Sequence, residues 1–183
     1  MTYYGAKEMA ASFRTVRSNT IKIAEEIPED KYSFSPAPGA RTIAQTLVHI
    51  SNIHKFQFAV SRDEKRSTLE GMNFMAIMGP MMADEQAAHT KAEIIAKLKA
   101  SGDEYAAWLD TLQDGFLGER ITMPAGGNPP ARTRFDMAIS VKEHEMHHRG
   151  QLMMAQRILG IVPHLTRDAQ ARMAAMQAQA SKA

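Results

Sequence analysis

The 183-residue sequence contains no cysteine. Disulfide bonds and zinc sites built from thiolates are therefore excluded, and the protein has no thiol nucleophile of its own. Any metal ion must be bound through nitrogen and oxygen ligands. Any reaction at sulfur must use a thiol that a second substrate brings.

Long apolar runs and a strong net charge are also missing. The sequence has no apolar run of about 18 residues, and its first residues, Met1 to Glu8, are polar at once. These features predict a cytoplasmic protein with neither a signal peptide nor a membrane segment. The formal net charge is only +2, and the Lys and Arg residues are scattered, which disfavours nucleic acid as the main partner.

Apolar residues recur at three- and four-residue steps in four long segments, as expected for amphipathic helices that bury one face. The predicted helices cover residues 6–27, 42–61, 90–112 and 134–159. Thr90-Lys-Ala-Glu93 has the capping-box pattern, Thr133 is placed to cap the last of these helices, and Gly160 marks its end. A chain of this length has room for one sizeable core.

Outside these helices the sequence carries little regular pattern. Arg120-Ile-Thr-Met123 is the only candidate strand and has no evident partner, so we predict an all-α four-helix bundle. We expect the chain to form one domain over residues 1–183, with the bundle at about 6–163. Residues 167–181 form a plausible fifth helix with few apolar side chains. The segment 164–183 is accordingly expected to be a docking or dimer helix, or a frayed tail.

A methionine-rich segment separates the second and third helices. Within residues 62–89, methionines recur every third residue from Met72 to Met81, and Gly79-Pro80 interrupts them. We interpret this segment as a short helical turn whose soft side chains fill gaps in the core. An alternative is a pliable lid over a pocket that takes varied hydrophobic ligands.

The last bundle helix carries the clearest candidate site. His144 and His148 are four residues apart, so on a helix they lie about 40° apart, one turn above the other. Two imidazoles in this arrangement can bind one metal ion, but a third ligand must come from elsewhere. His49 lies on the predicted inner face of the second helix, whereas His54 points about 140° away from it. We predict His49, His144 and His148 as a three-nitrogen site with open coordination positions, as catalytic divalent metals have.

Two other metal sites share parts of this pattern. His144-Glu145-x-x-His148 matches the helical signature of zinc proteases, with Glu145 as their general base. However, no Glu follows His148, and Met154 occupies the place where some of these enzymes have a third histidine. A carboxylate-bridged di-iron site needs two Glu-x-x-His motifs, and Glu145-x-x-His148 is the only one.

Other polar residues of this helix are candidates for supporting roles. Glu143 and Glu145 would orient the imidazoles from behind. Arg149 is the candidate for binding an anionic group of a substrate, although pairing on the surface is the simpler alternative. His147 is expected to face solvent or a partner.

The run His144-Glu-Met-His-His148-Arg-Gly-Gln-Leu, the later Leu159-Gly160-Ile-Val-Pro163 and the earlier segment from Ser35 to Ile50 resemble the DinB/YfiT-like family. The similarity spans roughly residues 6–163. It implies an up-down-down-up four-helix bundle, often a homodimer, and a metal triad of one histidine in helix two and an i, i+4 pair in the last bundle helix. These positions correspond to His49, His144 and His148. The family name refers to induction by DNA damage in some members and implies no DNA-binding activity.

The resemblance also implies a divalent metal cofactor. Zinc or nickel is expected first, with manganese and iron as alternatives. Characterised relatives are thiol-dependent S-transferases or isomerases that use bacillithiol, mycothiol or glutathione. Our leading hypothesis is therefore transfer of a low-molecular-weight thiol to a small electrophile. The alternatives are a hydrolase that uses water at the metal, with Glu145 as base, and a non-enzymatic metal-binding stress-response protein.

Overall fold

The computed structural model describes residues 4–181 and has an all-α architecture, as predicted. Four long helical segments form the bundle, and shorter helices connect them. In chain order the helices are α1 (Ala6–Glu26), α2 (Ile43–Asn52), α3 (His54–Gln57), α4 (Phe74–Gln86), α5 (Lys91–Asp110), α6 (Asp114–Gly118), α7 (Arg134–Ile158) and α8 (His164–Ala180). A 3-10 turn, Glu29–Lys31, follows α1, and a π-helical segment, Phe58–Asp63, follows α3.

Local capping chemistry sets several of the helix ends. The Thr90 side chain accepts a hydrogen bond from the Glu93 amide, and Glu93 reaches back to the Thr90 amide, so the predicted capping box is confirmed. Thr133 likewise caps α7 by accepting from the Asp136 amide. Gly160 has a positive φ of 78° just beyond α7, a conformation that glycine adopts without steric cost.

Contacts at the helix ends give the direction of α5. Lys91, its first residue, donates from Nζ to the carbonyl oxygen of Ile27 at 2.7 Å, so α5 begins where α1 ends. Its last residue, Asp110, pairs with Arg14 near the start of α1. Helix α5 is therefore antiparallel to α1.

The other two bundle helices follow from similar contacts. Tyr32 donates to the Ala24 carbonyl and accepts from the Ala44 amide, which joins the start of α2 to the end of α1. Helix α7 runs parallel to α1, because Lys142 contacts Ser12 early in both helices and Glu145 contacts Arg17 further along. Taken in chain order, the four helices run up, down, down and up, as the family resemblance implied.

The second bundle helix continues beyond α2. Ile53 keeps right-handed helical angles and leads into α3 and then the π-helical segment. His54 lies here with 3% exposure, against the rings of Phe58 and Tyr105. Burial, together with the nearby charge of Arg17, lowers the pKa of His54 to about 4. His54 is therefore a neutral core residue.

Helix α4 corrects one prediction. It is a helix of 13 residues that continues through Gly79-Pro80, whereas the sequence predicted only a short helical turn here. The helix connects the far end of the second bundle helix to the start of α5. Because these two bundle helices run in the same direction, the chain must return along the bundle before α5 begins. Its methionines differ in exposure, since Met81 is 4% exposed and Met75 is 65% exposed. They therefore do not act as one core-filling group.

The predicted strand does have a partner. β1 (Arg120–Thr122) pairs antiparallel with β2 (Ala131–Thr133), in the register Ile121 opposite Arg132. The sequence Ala-Arg-Thr gave no strand pattern because it is short and has no apolar alternation. This two-stranded ribbon leads directly into α7, and its Ile121 is fully buried in the core.

Helix α8 confirms the predicted fifth helix and begins at His164. His164 is its only buried residue among those described. It contacts Asn19 at 3.2 Å, and Arg167 pairs with Glu26, so the start of α8 packs on α1. The last two residues of the predicted tail, 182–183, lie outside the described residues, and the dimer role of this helix stays a prediction. Between residues 4 and 181, no helix has both the length and the apolar content needed to cross a membrane.

A buried ion pair lies between α1 and α7. Arg17 donates from Nε and Nη2 to the Glu145 carboxylate at 2.9–3.1 Å, and the two side chains are 4% and 0% exposed. Nη1 donates to the Leu98 carbonyl of α5 at 2.7 Å. Gly102 makes room for this arrangement, because a Cβ atom there would lie 2.6 Å from Cγ of Arg17. The glycine inside α5 thus has a packing reason that the sequence did not reveal.

Candidate metal centre

The three predicted ligands come together between α2 and α7. Nε2 of His144 lies 3.2 Å from Nε2 of His49 and 3.2 Å from Nε2 of His148. One ligand atom from each residue lies within 4.8 Å of the others. The helical spacing of His144 and His148 places them on one face of α7, and His49 faces them from the antiparallel α2.

These separations fit a bound metal ion. Zinc–nitrogen bonds of about 2.0–2.1 Å in a tetrahedral site would place neighbouring ligand atoms about 3.3 Å apart. Three protein ligands leave at least one further position for a substrate or water. The described structure therefore brings together the donor set that the sequence predicted.

Two hydrogen bonds orient the imidazoles from behind. Nδ1 of His49 lies 2.9 Å from Oε2 of Glu85, and Nδ1 of His148 lies 2.8 Å from Oε1 of Gln151. Both partners are acceptors, so each Nδ1 carries the proton and each Nε2 presents its lone pair. Lone pairs that face a common point are explained better by a bound cation than by hydrogen bonds among the three histidines. A carboxylate behind a metal-binding histidine also fixes the ring and raises its basicity.

The local electrostatics keep these rings neutral. Burial lowers the pKa of His49 and of His148, and it is the first cause of the lowered pKa of His144, which falls to about 4. For His144 the neighbouring His148 and His49 are the next causes. Neutral imidazole is the form that binds a metal ion, so the site is ready to bind at neutral pH.

Glu145, the predicted base, lies in the bundle interior and faces α1. Arg17 donates to both of its carboxylate oxygens, and the side chain is fully buried. It is therefore unavailable to a water molecule or a substrate at the triad. The structure also gives the role of orienting the imidazoles to Glu85 and Gln151 instead of Glu143 and Glu145, which corrects that prediction.

Other predicted residues of α7 lie away from the three ligand atoms. His147 is exposed and contacts Gln151 at 3.1 Å, in keeping with the expected solvent-facing position. Arg149 is partly exposed and lines neither of the two cavities beside the triad. The cationic side chain beside the site is that of Arg41, whose Nε donates to Oε1 of Glu85 at 2.5 Å.

Sequence reasoning missed Glu85, Arg41 and the role of Gln151. Gln151 could have been found from its spacing, because it lies one turn beyond His148 on the same helix. Glu85 gave no such indication, since it belongs to the connecting helix α4 and reaches His49 only in the folded chain. Arg41 lies within the segment from Ser35 to Ile50 that resembles the family. Its position just before α2, however, did not indicate a contact with Glu85.

Two cavities flank the triad. A cleft of about 650 Å³ is lined by residues of α2 that precede His49, namely Ile43, Gln45 and Thr46, and by residues of α7 that follow His148, namely Gln151, Leu152 and Ala155. A smaller cavity of about 280 Å³ lies on the other side, where Ile53, Phe56 and His144 are in its wall. Because α2 and α7 are antiparallel, the triad lies between the two. The cleft has several polar side chains, whereas the smaller cavity is more apolar.

Comparison with known proteins agrees with this structure. Residues 12–152 match the sequence model of the DinB superfamily, a range that includes all three histidines. The chain belongs to the DinB superfamily.

Individual relatives are distant but cover most of the chain. The DinB chain described here is 23% identical over 158 residues to the uncharacterized protein YjoA of Bacillus subtilis (strain 168), covering 85% of this chain and 91% of YjoA. The solved structure of YfiT from Bacillus subtilis superposes with a TM-score of 0.68 at 15% identity, covering 88% of this chain and 91% of YfiT. YfiT is described as a "probable metal-dependent hydrolase with an unusual four-helix bundle topology". At this identity the likeness shows the shared fold.

The contact between Glu85 and the DinB triad leads to a first prediction. Replacing Glu85 with glutamine removes the charge. It also turns one of the two oxygens, which His49 and Arg41 use separately, into an NH2 group that cannot accept a hydrogen bond. We expect metal affinity to fall by about 10- to 100-fold, the usual cost of losing such a partner. Competition with a chromogenic chelator would measure the change.

The neighbouring Asp84 offers a matched control. It lies on the same helix and pairs with Lys97 and Asn52, not with the triad. Asp84→Asn changes the net charge equally and should leave metal affinity close to that of the unaltered protein. Equal losses in both variants would show that net charge, and not the contact with His49, is responsible.

Proposed function

We propose that this protein is a metal-dependent S-transferase that joins a low-molecular-weight thiol to a small electrophile. The observation that carries the proposal is the position of the three histidines between two cavities of different character. A hydrolase needs one organic substrate beside its metal, whereas a transferase needs room for two. The polar cleft suits a thiol with polar substituents, and the smaller cavity suits an apolar electrophile.

The residues at the site have distinct roles in the proposed reaction. His49, His144 and His148 would hold the metal ion, and Glu85 and Gln151 keep two of the rings in the binding orientation. A divalent ion bound by three neutral ligands keeps its charge and lowers the pKa of a thiol that reaches it. The apolar wall with Phe56 and Ile53 would exclude water from the electrophile.

The proposed reaction needs only the two substrates. The thiol loses its proton to solvent, and its sulfur forms a bond to the electrophilic carbon. The bond from that carbon to its leaving group breaks, and the leaving group departs with the bonding electrons. The absence of cysteine from the chain agrees with a thiol that arrives as a substrate.

A metal-dependent hydrolase is the second candidate, and the description of YfiT favours it. Such an enzyme would use water in place of the thiol. Glu145, the carboxylate predicted as the base, is engaged by Arg17, and Glu85, the carboxylate beside the triad, is engaged by Arg41 and His49. A water nucleophile would need such a base, whereas a thiol that has lost its proton to solvent does not. The arrangement therefore favours the thiol as the nucleophile.

An assay with and without thiol separates the two candidates. The protein, loaded with zinc or nickel, is incubated with a chlorinated nitrobenzene and with glutathione or mercaptopropionate. We expect thioether formation well above the rate of thiol and metal alone, with loss of the excess rate after treatment with a chelator. Chromatography with mass detection would identify the product.

Other outcomes of this assay have definite meanings. Turnover of ester or amide probes without any thiol would support the hydrolase instead. A protein with full metal content and neither activity would contradict both candidates and favour a metal-dependent binding protein.

A further inference from the structure

The larger cleft beside the triad carries a single positive charge. Among the described residues that line it, Arg41 is the one cation, and the other polar side chains are mainly amides, including Gln45 and Gln86. The one carboxylate in its wall, Glu85, is 8% exposed and already bonded to Arg41 and His49. The cleft is therefore suited to an anionic group at one point and to neutral polar groups elsewhere.

Arg41 is held so that part of its guanidinium remains available. Within residues 4–181, its described hydrogen bond uses Nε, and the side chain is 44% exposed. The Nη1 and Nη2 donors form an edge that matches the two oxygens of a carboxylate. Because Glu85 fixes the Nε side, this edge is oriented before any ligand binds.

The first turn of α2 offers no alternative donors for an anion. The amide of Ile43 donates to the Phe34 carbonyl, and the amide of Ala44 donates to Tyr32. The Gln45 amide is taken by the Thr42 side chain. The guanidinium of Arg41 is therefore the charged donor that the cleft offers to an anion.

We infer that Arg41 binds a carboxylate group of the thiol substrate, with the rest of that substrate lying along the cleft toward the triad. This inference rests on the proposed S-transfer function and adds the chemical class of the thiol. Only one carboxylate, that of Glu85, and one imidazole, that of His49, separate the guanidinium from the three converging Nε2 atoms. A short thiol acid could therefore contact Arg41 and present its sulfur at the metal site.

A pair of thiols that differ only in charge tests the inference. Mercaptopropionate and its methyl ester would be titrated by calorimetry into the metal-loaded protein. We expect the acid to bind about tenfold or more tightly than the ester, because hydrogen bonds to a charged group contribute at least this factor. In Arg41→Gln this preference should disappear.

Arg167 provides the matched control. It also pairs with one carboxylate, that of Glu26, and its side chain is 46% exposed, but it lies on α8 outside the cleft. Arg167→Gln should keep the preference for the acid. All samples would be brought to equal metal content, so that an indirect effect of Arg41 on Glu85 is not mistaken for lost binding. Equal binding of acid and ester by the unaltered protein, or a preference that survives in Arg41→Gln, would overturn the inference.

A dicarboxylate without sulfur separates this inference from the proposed function. Glutarate should displace mercaptopropionate from the unaltered protein and do so poorly from Arg41→Gln. If glutarate behaves in this way but no thioether forms in the activity assay, the anion site stands and S-transfer is wrong. If thioether forms at equal rates from acid and ester, and equally in Arg41→Gln, S-transfer stands and the anion site is wrong.

Discussion

Replacing His49 with alanine is expected to remove the bound metal and, with it, the activity. The variant keeps His144 and His148, but two imidazoles on one helix bind a divalent ion far more weakly than three that converge from two helices. The loss should exceed the roughly 100-fold upper range for removing a hydrogen-bonding partner behind a ligand. Metal analysis of the purified variant and titration against a chelator would measure it.

His54 is the natural control, because it lies on the same helical segment as His49 and is itself buried. Its ring packs against Phe58 and Tyr105 and does not face the triad. His54→Ala should lower the free energy of unfolding because it leaves a cavity in the core, yet it should retain the metal. A His49→Ala protein with full metal content would show that the triad is wrong.

The bundle could be predicted from sequence because its determinants are local. Apolar periodicity and the caps at Thr90, Thr133 and Gly160 involve residues within one or two turns of each other. The missed strand depends on a distant partner, since Ala131–Thr133 becomes a strand only because Arg120–Thr122 pairs with it. The length of α4, which continues through Pro80, was the other error.

The same distinction between local and distant contacts explains which residues of the site could be predicted. His144 and His148 were recognised because the helix itself places them on one face, and His49 followed from the inner face of the second helix. Glu85 could not be recognised, since its contact with His49 joins residues 36 positions apart through the path of α4. Arg41 could not be recognised either, because its contact with the site is made through Glu85.

Glu145 shows how a correct local pattern can suggest a wrong role. It is adjacent to His144 and belongs to a motif in which the glutamate is catalytic. On a helix, however, adjacent residues point about 100° apart. This rotation directs Glu145 to Arg17 in the bundle interior, while His144 faces α2. The sequence did not indicate that α1 would bring a buried arginine to that position.

The ion pair between Arg17 and Glu145 gives the second large prediction. Arg17→Met would leave the fully buried Glu145 carboxylate without its main partner. Removing one member of a buried pair costs about 3–5 kcal/mol, a large share of the 5–15 kcal/mol that typically stabilises a domain. We expect a loss of this size in the free energy of unfolding, measured by urea titration of the metal-free protein.

The double variant Arg17→Met, Glu145→Leu separates the cost of an unpaired charge from the value of the pair. With both charges gone, much of the lost stability should return, because apolar side chains often replace a buried pair at little cost. Arg14→Met is the matched control, since Arg14 lies on the same helix but its pair with Asp110 is exposed, and its loss should cost at most about 1 kcal/mol. Comparable losses in Arg14→Met and Arg17→Met would contradict the prediction. If the double variant regains stability but binds metal more weakly, the conclusion is that the pair positions α7, and therefore His144 and His148, against His49.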